Sequence, residues 1–260
     1  LEGAVGSAQD CPASLGKLCF AIEPRLVALL KKAGFHALGL ENNHSFDLGA
    51  RGRETTRKVL SEAGITPVRY EDSPSFFRFG EVTVAVVSLC QVPSREGTPI
   101  PIPSAALRQK LRLARRLANL VVVSAHWGNE YQDWPSRRQR QGAEWLIRNG
   151  ADLILGHHPH VVQPPECVLG RPVFYSLGNH LFDQKYPATK QGLIADCRIS
   201  DRVLRCSGIP TRTEPGATFP GLAGPSSTAG LAACAVSLAE PLSVGGYVLR
   251  PRAGSSGETV

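Results

Sequence analysis

The sequence predicts a layered α/β domain, on three observations. Short, nearly continuous apolar runs alternate with amphipathic stretches through the middle of the 260-residue chain. Glycine or proline stands at most of the junctions between them. The apolar runs are strand-sized and lack a polar face, which suits strands covered on both sides. A hydrophobic content of 42% supplies ample material for a packed interior.

The elements follow in order. Residues 24–33 carry apolar side chains at helical spacing, with Pro24 at the start and Gly34 as a stop. His36 to Leu40 reads as a short strand, and Gly52 to Ala63 as a second helix closed by Gly64. Val82 to Cys90 is a strand buried on both faces. Residues 91–103 are proline-rich and form a loop, after which Ser104 caps a helix reaching about Ala118. Leu120 to Ala125 is another buried strand, and Ser136 caps a helix ending at Gly150. Strands follow at Ala151 to Leu155 and Pro172 to Leu177, then an antiparallel pair at Gly192 to Ile199 and Val203 to Ile209. Beyond Pro210, proline, glycine, serine, threonine and alanine dominate. The expected organisation is therefore one domain over 1–210 and a low-complexity, mostly irregular tail over 211–260, with one late strand near Tyr247 to Leu249.

Charge and cysteine content narrow the partners. Lys plus Arg is 29 against 22 for Asp plus Glu, a net charge of +7 that favours polyanions. Much of it sits at 108–116 and 137–148, where a solvated helix face is the simpler reading. No nucleic-acid recognition motif or aromatic–basic interleaving is present, so nucleic acid is not an expected partner. Of seven cysteines, Cys90 lies in an apolar run and reads as a buried small hydrophobe. Cys11 with Cys19, or Cys197 with Cys206, could pair, and their spacing does not decide it. No apolar run is long enough for a membrane helix and no signal peptide is visible. The chain begins at Leu1 and contains no methionine, so the expectation is a natural start, and any anchor or export signal, upstream of it.

Three polar groups each follow a predicted strand: Asn43 and His44; His126; and His157, His158 and His160. Loops after the carboxyl ends of parallel strands share one rim, where ligands bind. Neutral imidazole and amide oxygen suit zinc, manganese or iron. A lone histidine is more often structural, but three independent strand-end placements favour a metal site. In His158-Pro159-His160 the proline is expected to hold the preceding residue extended and to aim the two imidazoles at neighbouring ions. Trp127, Trp134 and Trp145 are expected to pack in the core or rim, and Tyr175 to lie buried in a strand.

These motifs resemble those of the CapA, or PgsA-like, capsule (poly-γ-glutamate) synthesis family. Glu41-Asn42-Asn43-His44-Ser45-Phe46-Asp47-Leu48-Gly49 is similar to its ANNHxxDxG motif, and His126-Trp127-Gly128-Asn129-Glu130-Tyr131 to its HWGxEY motif. Gly150-Ala151-Asp152 through Gly156-His157-His158-Pro159-His160 to Gln163 resembles GADxxxGxHPHxxQ. Ser176-Leu177-Gly178-Asn179 with Phe182-Asp183-Gln184 resembles SLGNxxFDQ, and Leu1-Glu2-Gly3 the tail of an NLE motif. The resemblance covers about residues 1–210. It implies a calcineurin-like metallophosphatase sandwich of two mixed sheets flanked by helices, holding two divalent metal ions (Mn, Fe or Zn). Carried over by residue, Glu2 is a carboxylate ligand, Asn43 an amide ligand, His126 and His158 ligands of the same metal, and His160 a ligand of the other. His44 is the general acid and Asp47 orients it; Glu130 stands outside the ligands. The family's first strand, a GDxML type whose aspartate binds metal, has no counterpart here, which implies a missing sheet strand and a chain weakly metallated or inactive as it stands. His180 follows Gly178-Asn179 in an order that makes it a decoy of the phosphoesterase GNH motif, with Asn43-His44 the true counterpart.

Two functions follow from the resemblance. The first is a metal-dependent phosphoesterase-like hydrolase in capsule or poly-γ-glutamate biosynthesis, acting on an anionic polymer or phosphoester at the cell envelope or its extracellular face. The second is a non-catalytic component that binds the anionic polymer or the subunits of a membrane synthase.

Overall fold

A computed structural model describes residues 1–182, 186–213, 220–222 and 234–240. Its centre is a six-stranded sheet in the order β10-β11-β8-β7-β6-β5. These strands are β5 (Ser75–Phe79), β6 (Val82–Cys90), β7 (Leu120–His126), β8 (Leu153–His157), β10 (Glu166–Val168) and β11 (Arg171–Phe174). β6, β7, β8 and β11 run parallel, and the edge strands β5 and β10 are antiparallel to their neighbours. The central strands lack a polar face because both of their faces are covered.

Alternate residues of β7 show this directly. Val121, Val123 and Ala125 point into a cluster with Leu107 and Leu111 of α3 (Ala105–Leu117) and Ala143 and Leu146 of α4 (Arg137–Arg148). Leu120 and Val122 point the other way, onto Leu193, Leu204 and Val236. Those come from a second sheet built on the hairpin β13 (Gln191–Ser200) and β14 (Val203–Arg212), joined by β15 (Gly221–Leu222) and β16 (Ala235–Ser237). The result is an α/β sandwich of a mixed sheet facing an antiparallel one, with α3 and α4 on the outer face of the first; the second sheet is antiparallel rather than mixed as the resemblance implies, because it is built on a hairpin. A third cluster packs α1 (Pro24–Lys32) and α2 (Gly49–Glu62) over β1 (Ala4–Val5) and β3 (Ala37–Gly39) through Val5, Val27, Leu60 and Ile65. β1 pairs with β2 (Ala21–Ile22), and β3 with β4 (Thr66–Val68).

Helix ends follow their capping chemistry. Ser104 accepts from Leu107 N–H, and Ser136 with Gln139 forms a reciprocal box at the start of α4. α2 begins at Gly49 rather than Gly52. The strand expected over 172–177 is broken. β11 stops at Phe174, and β12 (Ser176–Leu177) pairs instead with β9 (Val162–Gln163). The strand expected over 151–155 is shifted towards its carboxyl end and runs through His157. Trp127 and Tyr175 are fully buried, but Trp134 is 68% exposed, contrary to the packing expected of it.

Three disulfides are formed: Cys11–Cys19, Cys197–Cys206 and Cys167–Cys234. Cys90 is free and buried, as expected. The Cys167–Cys234 bond ties β10 to the segment leading into β16, whose Val236 is fully buried, so residues beyond 210 contribute to the interior. The strand expected near Tyr247 to Leu249 lies outside the described residues.

Candidate metal centre

The parallel strands deliver the polar groups to one edge. His126 is the last residue of β7, and its neighbour in register is His157, the last of β8. The turn after β8 carries His158 and His160. Both have positive φ, 99° and 59°. The extended backbone expected at His158 from its following proline is thus not found; the turn is held in a conformation that non-glycine residues rarely adopt. Just before the turn, Gly156 lets the Tyr175 backbone pass close to β8, since a Cβ there would stand 2.0 Å from the Tyr175 carbonyl oxygen. Asn43, His44 and Asp47 occupy the turn between β3 and α2.

These residues converge. Asn43 Oδ1 lies 2.6 Å from His126 Nε2. The His126 and His158 rings are 4.8 Å apart and those of His158 and His160 are 5.9 Å apart. Glu2 reaches in from the segment before β1, its Oε1 3.7 Å from His160 Nε2 and 4.0 Å from His126 Nε2. Ligand atoms of Glu2, His126 and His158 all lie within 4.8 Å of one another, and so do those of Glu130, His158 and His160. His44 Nδ1 is 2.8 Å from Asp47 Oδ2, which also accepts a 2.8 Å hydrogen bond from the Phe20 backbone N–H. The Phe20 ring covers the His44 imidazole at 4.0 Å. His180 stands apart with its Nδ1 3.2 Å from Thr211 Oγ1 and belongs to neither ligand group.

Several contributors carry no role in the sequence reading. Asn42 donates to the Leu1 carbonyl and accepts from His44 N–H, so it holds the turn while Asn43 faces the histidines. Asn179 Oδ1 lies 3.0 Å from His160 Nδ1, which places the proton there and leaves the Nε2 lone pair towards Glu2. Asn179 stands in a quoted motif; Phe20 has no signal, because it acts through backbone and ring.

Electrostatics suit a cation. Burial, then the neighbouring His158, holds His126 well below the usual imidazole range. Burial likewise brings His158 to about 4, against the opposing pull of Glu130. Both are therefore neutral at pH 7, the state in which imidazole offers a lone pair. Burial pushes the Glu2 carboxyl up, with His160 and His44 working the other way. Among the described residues, Glu2 Oε1 and His158 Nδ1 are buried without a hydrogen-bond partner. Such atoms cost stability unless something fills the space between them. Neutral imidazoles, a carboxylate and an amide oxygen form a donor set that fits a borderline or hard divalent cation.

The fold and this rim define an α/β sandwich with a histidine–carboxylate cluster at the carboxyl ends of its parallel strands. The chain belongs to the family described as bacterial capsule synthesis protein PGA_cap, whose model matches residues 1–184. It is 33% identical over 212 residues, 75% of this chain and 52% of the relative, to the capsule biosynthesis protein CapA of Bacillus anthracis. It is 34% identical over 182 residues, 65% of this chain and 48% of the relative, to the PGA biosynthesis protein CapA of Bacillus subtilis. The chain thus spans about half the length of the curated relatives it matches. Two solved structures are more distant. A hypothetical protein from Thermus thermophilus has TM-score 0.49 and 16% identity, covering 78% of this chain and 81% of that one. A phosphatase from Mycoplasma pneumoniae has TM-score 0.46 and 14% identity, covering 74% and 71%.

Proposed function

We propose that this domain is a metal-dependent phosphoesterase-like hydrolase serving capsule or poly-γ-glutamate biosynthesis, with two divalent ions held by Glu2, Asn43, His126, His158 and His160. The observation that carries the reading is the pair of partnerless buried atoms, Glu2 Oε1 and His158 Nδ1, within a cluster of neutral imidazoles. Bound ions would clamp an anionic phosphoryl-like group and neutralise its charge. The chain's own residues do the rest. His44 donates a proton from Nε2 to the leaving oxygen, because Asp47 Oδ2 engages Nδ1. Asp47 is fixed in turn by the Phe20 N–H, and the Phe20 ring keeps water off one face of the imidazole. His160 is oriented by Asn179.

The substrate class is an anionic polymer or phosphoester, consistent with the net charge of +7. Subunits of a membrane synthase are the proposed protein partners. Three disulfides favour an oxidising compartment, hence the cell envelope or its extracellular face. Among the described residues no helix is long and apolar enough to cross a membrane.

The test is turnover of an aryl phosphodiester with added manganese, by this chain and by a version with an aspartate-bearing first strand restored. The expected result is metal-dependent hydrolysis in the restored version, weak or absent in the chain as it stands, that falls roughly 10²–10⁴-fold in His44→Ala. Absence of turnover in a manganese-loaded restored version that still binds poly-γ-glutamate would replace this reading with that of a non-catalytic polymer-binding component.

A further inference from the structure

We infer that the groove between α3 and α4 binds a linear polycarboxylate, at a surface separate from the metal centre. The inference rests on the anionic-polymer setting proposed above and not on the metal ions. The two helices carry nine basic residues and one acidic, Glu144, a surplus larger than the whole chain's +7. The remainder of the protein is therefore not basic, and the excess charge is confined to one face. Four of the nine are engaged. Lys110 donates to the Asp72 carbonyl, and Arg115, Arg140 and Arg148 pair with Asp152, Glu166 and Glu144. The other five, Arg108, Arg112, Arg116, Arg137 and Arg138, are exposed and form no ion pair among the described residues.

A helix face built only for solvation interleaves acids with its cations. α3 has no acid at all. Arg108, Arg112 and Arg116 recur every four residues, so about 6 Å of rise separates each like charge from the next along one line. Arg116 suits the carboxyl end of α3, whereas Arg137 and Arg138 occupy the first turn of α4, where a cation opposes the helix dipole. Repulsion along α3 and the dipole at α4 both work against stability, so the arrangement needs another reason. The helices meet where the Arg108 guanidinium lies 5.7 Å from the centre of the Trp145 ring. Arg138 stands two turns before Trp145 on that same side of α4. The Arg138 end is the one nearer the rim, since a Cβ on Gly128 would stand 2.7 Å from Gln139 Nε2. The forked guanidinium matches carboxylate geometry, and cations on both walls suit an extended chain of repeated charge. A bilayer fits less well, because Leu107, Leu111, Ala143 and Leu146 turn the apolar sides of both helices onto the sheet.

The experiment is titration of fluorescently labelled poly-γ-glutamate with the metal-stripped, full 260-residue chain, read by anisotropy. It runs beside two triple variants. One is Arg112→Gln, Arg116→Gln and Arg138→Gln in the groove; the other is Lys32→Gln, Lys58→Gln and Arg205→Gln on exposed surface elsewhere. Both remove the same charge, and circular dichroism confirms that both are folded. The expected result is metal-independent binding that weakens with salt. The groove variant should lose affinity roughly tenfold or more, the scale of three exposed charge pairs, while the other stays within about twofold of the parent. Absence of binding, equal losses in the two variants, or no loss in either overturns the inference. So does binding that appears only with manganese, which would seat the polymer on the metal centre. Tighter binding of double-stranded DNA or of phosphatidylglycerol vesicles, lost in the groove variant, overturns it by giving the face to that partner. Each of these results leaves the hydrolase reading to its own turnover test, and failure of turnover leaves metal-free polymer binding untouched.

Discussion

Buried polar side chains are treated in opposite ways at the two ends of the central sheet. Away from the rim most are matched, although Arg115 Nε and, within β6, Ser88 Oγ have no hydrogen-bond partner among the described residues. Asp152, 4% exposed, accepts from Val121 N–H at 2.9 Å and from the Arg115 guanidinium. Asn119 accepts from Thr83 N–H and donates to the Ala239 carbonyl. At the rim, Glu2 Oε1 and His158 Nδ1 have no hydrogen-bond partner among the described residues, and two residues of the histidine turn sit at positive φ. A satisfied polar group adds about 1 kcal/mol and an orphan costs about 1–3 kcal/mol. The first region is built for its own stability and the second is not, which marks the rim as the place where something else binds.

That contrast can be broken or sharpened. The largest expected effect is in the matched region. Asp152→Ala strands a backbone N–H and a partly buried guanidinium, and should lower unfolding free energy by about 3 kcal/mol in urea titration, with manganese affinity unchanged. Equal losses of metal affinity and stability would erase the distinction. Next comes the rim. Saturating manganese at a hundredfold excess over its dissociation constant should add about 2.7 kcal/mol to wild-type stability, removed by chelator. In Glu2→Gln that gain should largely vanish, while the chelated variant stays within about 1 kcal/mol of wild type or above it, because an amide carries no charge to bury. The smallest effect concerns Cys90, whose register neighbour is His126. Burial pushes its thiol up to about 12. It should take no alkylating label at pH 8 in the folded, unreduced chain, and one label per chain after unfolding without reductant, as read by intact mass. A label on the folded chain would place Cys90 on the open side of the boundary.

Much of this was legible from residue order, for identifiable reasons. α1, α3, α4, β6 and β7 announce themselves because periodicity and caps act locally: Ser104 and Ser136 hold N–H groups three residues away. β4 and β5 were not read. β4 contains Pro67 and is three residues long, and β5 is an edge strand with only its β6 side paired. β16 lies in low-complexity sequence and exists through long-range pairing with β14 and the Cys167–Cys234 bond. In the rim, the histidines and Asn43 are visible because the chemistry of each demands its residue type, whereas Glu2 is visible only through the resemblance of Leu1-Glu2-Gly3 to a family motif. Phe20, Asn42 and Asn179 act by backbone contact, turn bracing or orientation, which leave a weaker trace. Pro159 misled in one respect, since tertiary hydrogen bonding overrides the local preference it exerts on His158.

The four parallel strands of the central sheet have a consequence for how such a domain can diversify. Apart from Glu2, which precedes β1, every donor at the rim is borne on the short connection that follows a strand or on the strand's final residue. The interior side chains that hold the strands together begin only a residue or two behind. New specificity can therefore arise by rewriting a few turns, with no renegotiation of the packing beneath them, and a change of metal or substrate need leave no mark on the buried surface of the sheet.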